Sequence, residues 1–414
     1  MSAPATTSEA REVHPLRTGP GRLLVLVSLL GSVGYGLYTA GSAVYFVREV
    51  GLSPTMVGTG LSVAGFVGLF AGLPIGRVAD RLGPKRVAVV AATARTLPLV
   101  FALWVTAFWQ VLLIVLVLGV AESGWTVAEE ATIARLTAGA GRVRISAALR
   151  AVFNVGLTVG SLLAGVALAI GTRRAYDSLI LAYVATSVLG AVLYTRLPAT
   201  PGRDIGHGPR LFSGAALRDR PYMSVALVSC LSTLGDTVLS VGLPLWIVSD
   251  TAAPRSMAGW LLGINTLLVA ALQIRVARAA DTMPGAIRSQ QVALAGLALC
   301  CVLAGLAGHQ ARWPATALLL AAVGALTVGE MAGQGARWTM RFTLAPAAAQ
   351  GEYGAAFRLG LLVPRAAGPV LVTALTSGWH LSGWLVLCAL FLAGSGLTGP
   401  VTRWAVRTRP QETA

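Results

Sequence analysis

Long apolar runs alternate with short polar ones along the whole chain. Twelve runs approach the roughly 20 mostly apolar residues that a helix needs to cross a bilayer. They fall near 23–47, 55–76, 87–108, 110–133, 147–171, 178–196, 222–248, 256–275, 290–308, 313–336, 354–377 and 380–401. The pattern predicts an all-α polytopic membrane protein of twelve transmembrane helices. The longest polar stretch, Pro198 to Arg220, is rich in Pro, Gly and charge and separates six runs from six. The expected organisation is a tail (1–22), a six-helix bundle (23–197), a linker (198–220), a second six-helix bundle (221–402) and a tail (403–414). His207 in the linker reads as solvated.

Composition supports the membrane reading. Apolar residues make up 55% of the chain, charged residues 12%, and mean hydropathy is +0.73. A soluble domain carries about twice that charged fraction. The net charge of +16 does not point to nucleic acid, because the basic residues are scattered between spans as in cytoplasmic loops. The expected partner is the lipid bilayer. Lys85 is the only lysine, and the Arg-, Ala- and Gly-rich composition suggests a GC-rich bacterial genome, hence a bacterial plasma membrane. Arg11, Arg17 and Arg22 precede the Leu23–Val47 run, which is too long for a signal-peptide core and reads as the first span.

Orientation follows from the basic residues. With the N-terminus inside, 25 Arg and Lys fall in inside segments and five (Arg48, Arg173, Arg174, Arg255, Arg312) in outside loops. Both termini and the linker are then cytoplasmic. Trp104, Trp109, Trp246, Trp313 and Trp379 sit at predicted outer ends, where an interfacial aromatic belt belongs. Cys230, Cys300, Cys301 and Cys388 fall inside apolar runs, at no metal-binding or redox spacing. No metal and no cofactor is expected.

The two halves echo each other at an offset of 201 residues: Gly34 with Gly235, Gly41 with Gly242, Arg77 with Arg278, Asp80 with Asp281, Glu129 with Glu330. Further on the offset drifts by seven, bringing Arg150 onto Arg358. The second-half counterpart of the 76–86 stretch keeps Asp281 but lacks the Asp-Arg pair and the following Gly.

Residues 76–86 read Gly-Arg-Val-Ala-Asp-Arg-Leu-Gly-Pro-Lys-Arg, four cations and one acid in a short loop between spans. The spacing G-x-x-x-D-R-x-G-x-K-R resembles the loop between helices 2 and 3 of the major facilitator superfamily, with Pro84 inserted before the basic ending. The resemblance implies twelve helices in two pseudo-symmetric six-helix bundles, working by alternating access; parallel repeats fit that fold. It further implies a cytoplasmic gating latch formed by Gly76, Asp80, Arg81, Gly83, Lys85 and Arg86. Glu129 and Glu130 could join it by pairing with Arg81. The alternative is that the cations only fix topology. A second stretch, Gly156-x-x-x-Gly160-Ser161-x-x-Ala164-Gly165, is similar to the antiporter motif G-x-x-x-G-P-x-x-G-G, with Ser161 and Ala164 departing from it. Its expected role is close packing of helix 5 against the other half, sealing the outer side.

Charge at mid-bilayer costs about 2.5–3.5 kcal/mol on insertion scales, so each such residue needs a reason. Arg95, Glu122, Asp236, Glu330 and Arg365 lie within spans 3, 4, 7, 10 and 11. Spans 1, 4, 7 and 10 line the central cavity of the resembled fold. At about 1.5 Å per residue, Arg95 matches Glu122 in height and Arg365 matches Asp236. Each pair is a static salt bridge or part of a proton site. The proton-coupling candidates are Asp236, ranked first, Glu122 and Glu330. Tyr35, Tyr38, Trp125, Asn265 and Gln273 are candidates to line a substrate cavity, although Tyr and Trp there are more often packing residues.

The expected function is proton-coupled efflux of small organic molecules, with the substrate and protons as partners. Proton-coupled uptake of a sugar or metabolite is the alternative. A non-transporting sensor or scaffold is a third reading. An enzyme is not expected, because His309 and His380 stand at predicted outer ends without a catalytic constellation. No ATP-binding Gly-rich loop is present.

Overall fold

The computed structural model describes residues 19–136, 139–198, 215–346 and 349–409. Fourteen α-helices carry nearly all of them, and no strand occurs among the described residues. In the first half these are α1 (Gly19–Arg48), α2 (Pro54–Leu82), α3 (Pro84–Phe101), α4 (Phe108–Leu136), α5 (Gly139–Ile170) and α6 (Arg173–Thr195). A single turn, α7 (Ala215–Arg218), precedes a broken rod made of α8 (Arg220–Cys230), α9 (Leu234–Thr237) and α10 (Leu243–Asp250). Then come α11 (Met257–Ala277), α12 (Met283–Ala307), α13 (Arg312–Leu344) and α14 (Gln350–Arg407).

Ten helical stretches are long and apolar enough to cross a membrane, and Met257–Gln273 is a shorter apolar helix. The twelfth limb is hidden in α14, a 58-residue run whose backbone breaks at His380, with φ 49° and ψ −124°. The chain reverses there: a Cβ on Gly383 would fall 1.8 Å from the carbonyl oxygen of Leu375. His380 Nδ1 lies 2.9 Å from Asp250 Oδ1, which holds this uncommon non-glycine backbone in place.

The helix boundaries have local causes. Ser53, Thr172, Asp219 and Thr282 cap α2, α6, α8 and α12, each accepting a backbone N–H from the first turn. Gly51 (φ 76°), Gly83 (φ 89°) and Gly171 (φ 65°) take the left-handed backbone that turns the chain after α1, α2 and α5. The helices overrun the predicted spans at the end holding both termini; α13 runs eight residues past the predicted 336, to Leu344. Polar residues there leave the membrane without leaving the helix, so hydropathy ends a span earlier than hydrogen bonding does.

Within the first half α1 packs on α5 and α6, α2 on α4, and α3 on α4 and α6; in the second, α12 packs on α13 and α14. Across the halves α5 meets α11 and α2 meets α14. The core differs between the two ends. Toward the turn between α1 and α2 it is one cluster spanning both halves, including Val44, Leu168, Leu243 and Leu261. Toward the termini it splits into two: one around Leu24, Ala128 and Tyr194, the other around Tyr222, Met340 and Phe357.

Trp104, Trp109, Trp313 and Trp379 are exposed, as a belt requires. Trp246 is not. It is 4% exposed, donates its indole N–H to Ala304 O at 2.8 Å and packs edge-on to Trp384. Hydropathy places a tryptophan at a height but not on a face, and α10 turns this one inward.

Candidate transport site

The broken rod builds one wall of the site. Pro244 has no N–H to offer the preceding turn and its ring crowds the carbonyl four residues back. The helix opens to a π turn over Val238–Gly242, after a 3-10 turn at Leu231–Thr233. Asp236 lies in the single turn between them, and Ser240 Oγ donates to the Asp236 carbonyl at 2.6 Å. The Asp236 side chain is exposed to a cavity of about 270 Å³ between the halves.

Tyr35 and Thr39 of α1, Arg150, Phe153 and Asn154 of α5, Asn265 and Gln273 of α11, and Glu330 and Gln334 of α13 also line this cavity. The Asn265 amide donates to Glu330 Oε2 and to Thr327 Oγ1, both at 3.0 Å. Asn265 is 4% exposed, and both of its donors are engaged, one of them orienting Glu330. Gln273 donates its amide to Gln334. One turn further along α13, toward its Leu344 end, Arg337 Nη1 donates to Ser232 Oγ at 2.6 Å.

A second chamber, of about 540 Å³, lies in the first half among α1, α2, α3, α4 and α6. Tyr35 borders both chambers. Arg95 Nη1 stands 3.3 Å from Glu122 Oε2 and 3.5 Å from the Tyr183 hydroxyl. The guanidinium carbon is 5.4 Å from the Trp125 ring centroid and 5.5 Å from that of Tyr183, within cation–π range. The Arg95 side chain is 6% exposed and that of Glu122 42%. Tyr38 packs against Tyr183, ring centroids 5.5 Å apart, and also lines the chamber.

Sequence reasoning did not foresee Tyr183, Arg150, Phe153 or Gln334. Gln334 was findable, four residues beyond Glu330 on the same helix face. Nothing in the sequence singles out Tyr183. The side chains of Arg365, the expected partner of Asp236, and of Asp80 lie outside the described residues.

The 76–86 stretch differs from the loop its composition suggests. Residues 76–82 continue α2 and 84–86 open α3, so Gly83 alone is non-helical. Pro84 at the first position of α3 and Gly83 at φ 89° make so short a connection feasible. Lys85 Nζ donates to Leu197 O, which ties this corner to the end of α6. Arg81 and Arg86 are exposed. Glu129 lies a turn beyond Trp125 on α4, and Glu130 is exposed; among the described residues neither forms an ion pair with Arg81.

The glycine-rich stretch of α5 has two faces, not one. A Cβ on Gly156 would meet Ser32 Oγ at 1.9 Å and one on Gly160 would meet Val33 O at 2.1 Å, so both face α1 of the same half. A Cβ on Gly165 would meet Trp260 at 2.2 Å, and one on Gly259 would meet Ser161 O at 2.5 Å. Ser161 and Gly165 therefore meet α11 across the halves. The i, i+4 pairs 156/160 and 161/165 are offset by five residues, about 140° around the helix.

A twelve-limbed bundle enclosing a polar cavity between its halves is the architecture of a membrane transporter. The sequence profile of the Major Facilitator Superfamily matches residues 24–369, and the chain belongs to that family. It is a transporter rather than an enzyme. No curated protein matches its sequence. Among solved structures it is similar to the nucleoside transporter NupG at 15% identity and TM-score 0.70, covering 94% of this chain and 99% of that one. It is also similar to a POT family transporter in complex with a thioalcohol-conjugated peptide, at 13% identity and TM-score 0.75, covering 94% and 96%. At these identities the likeness concerns the fold.

Proposed function

We propose that the chain is a proton-coupled exporter of small organic molecules in a bacterial plasma membrane, working by alternating access. The observation that supports it best is the cavity between the halves, into which Asp236 and Glu330 open beside a chamber holding Glu122. Carboxylates at that depth are expensive unless they work, and proton exchange is work they do well. With both termini cytoplasmic, the continuous core closes the outer side and the conformation faces inward. The Gly76–Arg86 corner, with Asp80 and Arg81 as its charged pair, would then latch the opposite, outward-facing state. The linker at 198–220 would join two bundles that rock against each other.

The test uses purified protein in vesicles with the terminal end outward and an acid lumen, against a panel of cationic, neutral and anionic organic molecules. Accumulation in the lumen with dissipation of the pH gradient is the expected result. Movement of substrate in the same direction as protons would identify proton-coupled uptake instead. Binding without movement would identify a sensor or scaffold. Orientation has its own check: a single cysteine at Gly206 should resist membrane-impermeant thiol reagents in intact cells and react in inverted vesicles. Labelling in intact cells would overturn the inward-facing assignment and the latch with it.

A further inference from the structure

We infer that the first-half chamber binds an amphipathic organic cation, its apolar body among α2 and α4 and its positive group on Glu122. The inference rests on the reading of the chain as a transporter of small organic molecules and names the class of molecule.

The walls decide the body of the ligand. Leu61, Leu69, Val115 and Leu118 line the chamber beside Gly65 and Gly68, and at about 540 Å³ it is the size of a site for a drug-sized molecule. Its accessible charge decides the head group. Glu122 is 42% exposed, whereas its partner Arg95 is 6% exposed. A ligand therefore reaches the carboxylate and not the guanidinium. The 3.3 Å between them is long beside the roughly 2.7–2.9 Å of a tight charge-assisted bond. Arg95 Nε has no hydrogen-bond partner, so the guanidinium is not locked into a full bidentate fork. Trp125 and Tyr183 also hold Arg95, at 5.4 and 5.5 Å, so Glu122 can turn to a ligand without leaving a buried cation unsupported. An organic anion would meet the carboxylate first and be repelled. A small cation would leave the apolar walls unfilled.

The probes are three: (4-phenylbenzyl)trimethylammonium, its anionic counterpart 4-phenylbenzylsulfonate, and tetramethylammonium. Each is titrated calorimetrically into the purified full chain in detergent. The biphenyl cation should bind and the other two should not. Glu122→Gln should weaken that binding roughly tenfold or more, the effect of losing one charge-assisted contact. Leu69→Trp, which fills the chamber without touching the charge, should abolish it, and Gly190→Ala, where a Cβ meets nothing within 4 Å, should leave it unchanged. If Glu122→Gln cannot be purified as a monodisperse protein, Leu69→Trp against Gly190→Ala decides. Equal binding of the sulfonate or of tetramethylammonium would overturn the assignment. So would binding that survives both chamber variants, or that is lost in Gly190→Ala as well. No pH gradient enters the measurement, so it can succeed where vesicle transport fails, and the reverse.

Discussion

Asp236→Asn is expected to abolish transport driven by a pH gradient while leaving gradient-independent substrate exchange measurable. The carboxamide keeps the shape of the side chain and removes its ability to gain and lose a proton. Asp236 lies between two irregular turns of the rod and faces the cavity that both halves line. When the cavity walls close, an ionised carboxylate there would lose water at a penalty of several kcal/mol. Protonation removes that penalty, so closure and proton uptake are linked. Exchange needs no net proton movement and survives. Glu330 and Glu122 rank below it: Glu330 lies on the uninterrupted helix α13, and Glu122 lines the first-half chamber rather than the cavity that both halves share. The three amide variants are measured side by side in the same vesicles. If Asp236→Asn pumps and Glu122→Gln or Glu330→Gln does not, the ranking fails; if all three pump, proton antiport fails.

Gly259→Leu is expected to hold the two halves apart at the end where they now meet, and to stop transport. A Cβ at Gly259 would stand 2.4 Å from Gly165 N and 2.5 Å from Ser161 O, both backbone atoms that cannot rotate away. Ordinary contact needs about 3.5 Å or more, so α5 and α11 must separate by on the order of 1 Å even for alanine. Overpacking of this kind costs about 1–3 kcal/mol, enough to shift the balance between two conformations of similar energy. Spin labels at Ser53 and Ala252 report the gap across that end by pulsed electron resonance. The distance should lengthen in the order Gly, Ala, Leu. Gly190→Ala, where a Cβ meets nothing within 4 Å, serves as the control and should match the parent. An unchanged distance in Gly259→Leu would show that this contact does not govern closure.

Much of the fold was legible because a bilayer imposes one simple rule on the chain. Hydropathy located the spans, because apolar runs of bilayer length became helices among the described residues. Three features were not legible. Gly83 alone separates α2 from α3, because the charged residues around it remain helical outside the apolar core. Trp246 points inward, since burial depends on the neighbour α12 and not on height. The α5 glycines divide between α1 and α11, because which helix lies opposite a small residue is a property of the bundle. At the site, helix position and depth estimates brought Arg95 and Glu122 to the same height. Tyr183, which completes their surroundings, lies on a helix whose charges, Arg173, Arg174 and Asp177, all sit in its first turns, so nothing near it drew attention.

The interruptions in the rod from Arg220 to Asp250 have a mechanical consequence. A continuous helix of this length, 31 residues or about 46 Å, moves as a lever: tilting one end displaces the other. α1, with 30 uninterrupted residues, is such a lever. The rod is instead jointed at Leu231–Thr233 and Val238–Gly242, leaving three short stiff pieces in series. Its last piece is anchored by the Trp246 bond to Ala304, by the Asp250 contact with His380 and by the bond from Arg48 to Val248 O. A swing of the middle piece, which carries Asp236, need not pull on any of these. Torque applied at the cavity is absorbed at the joints, so the segment that carries Asp236 can travel while the anchor stays fast.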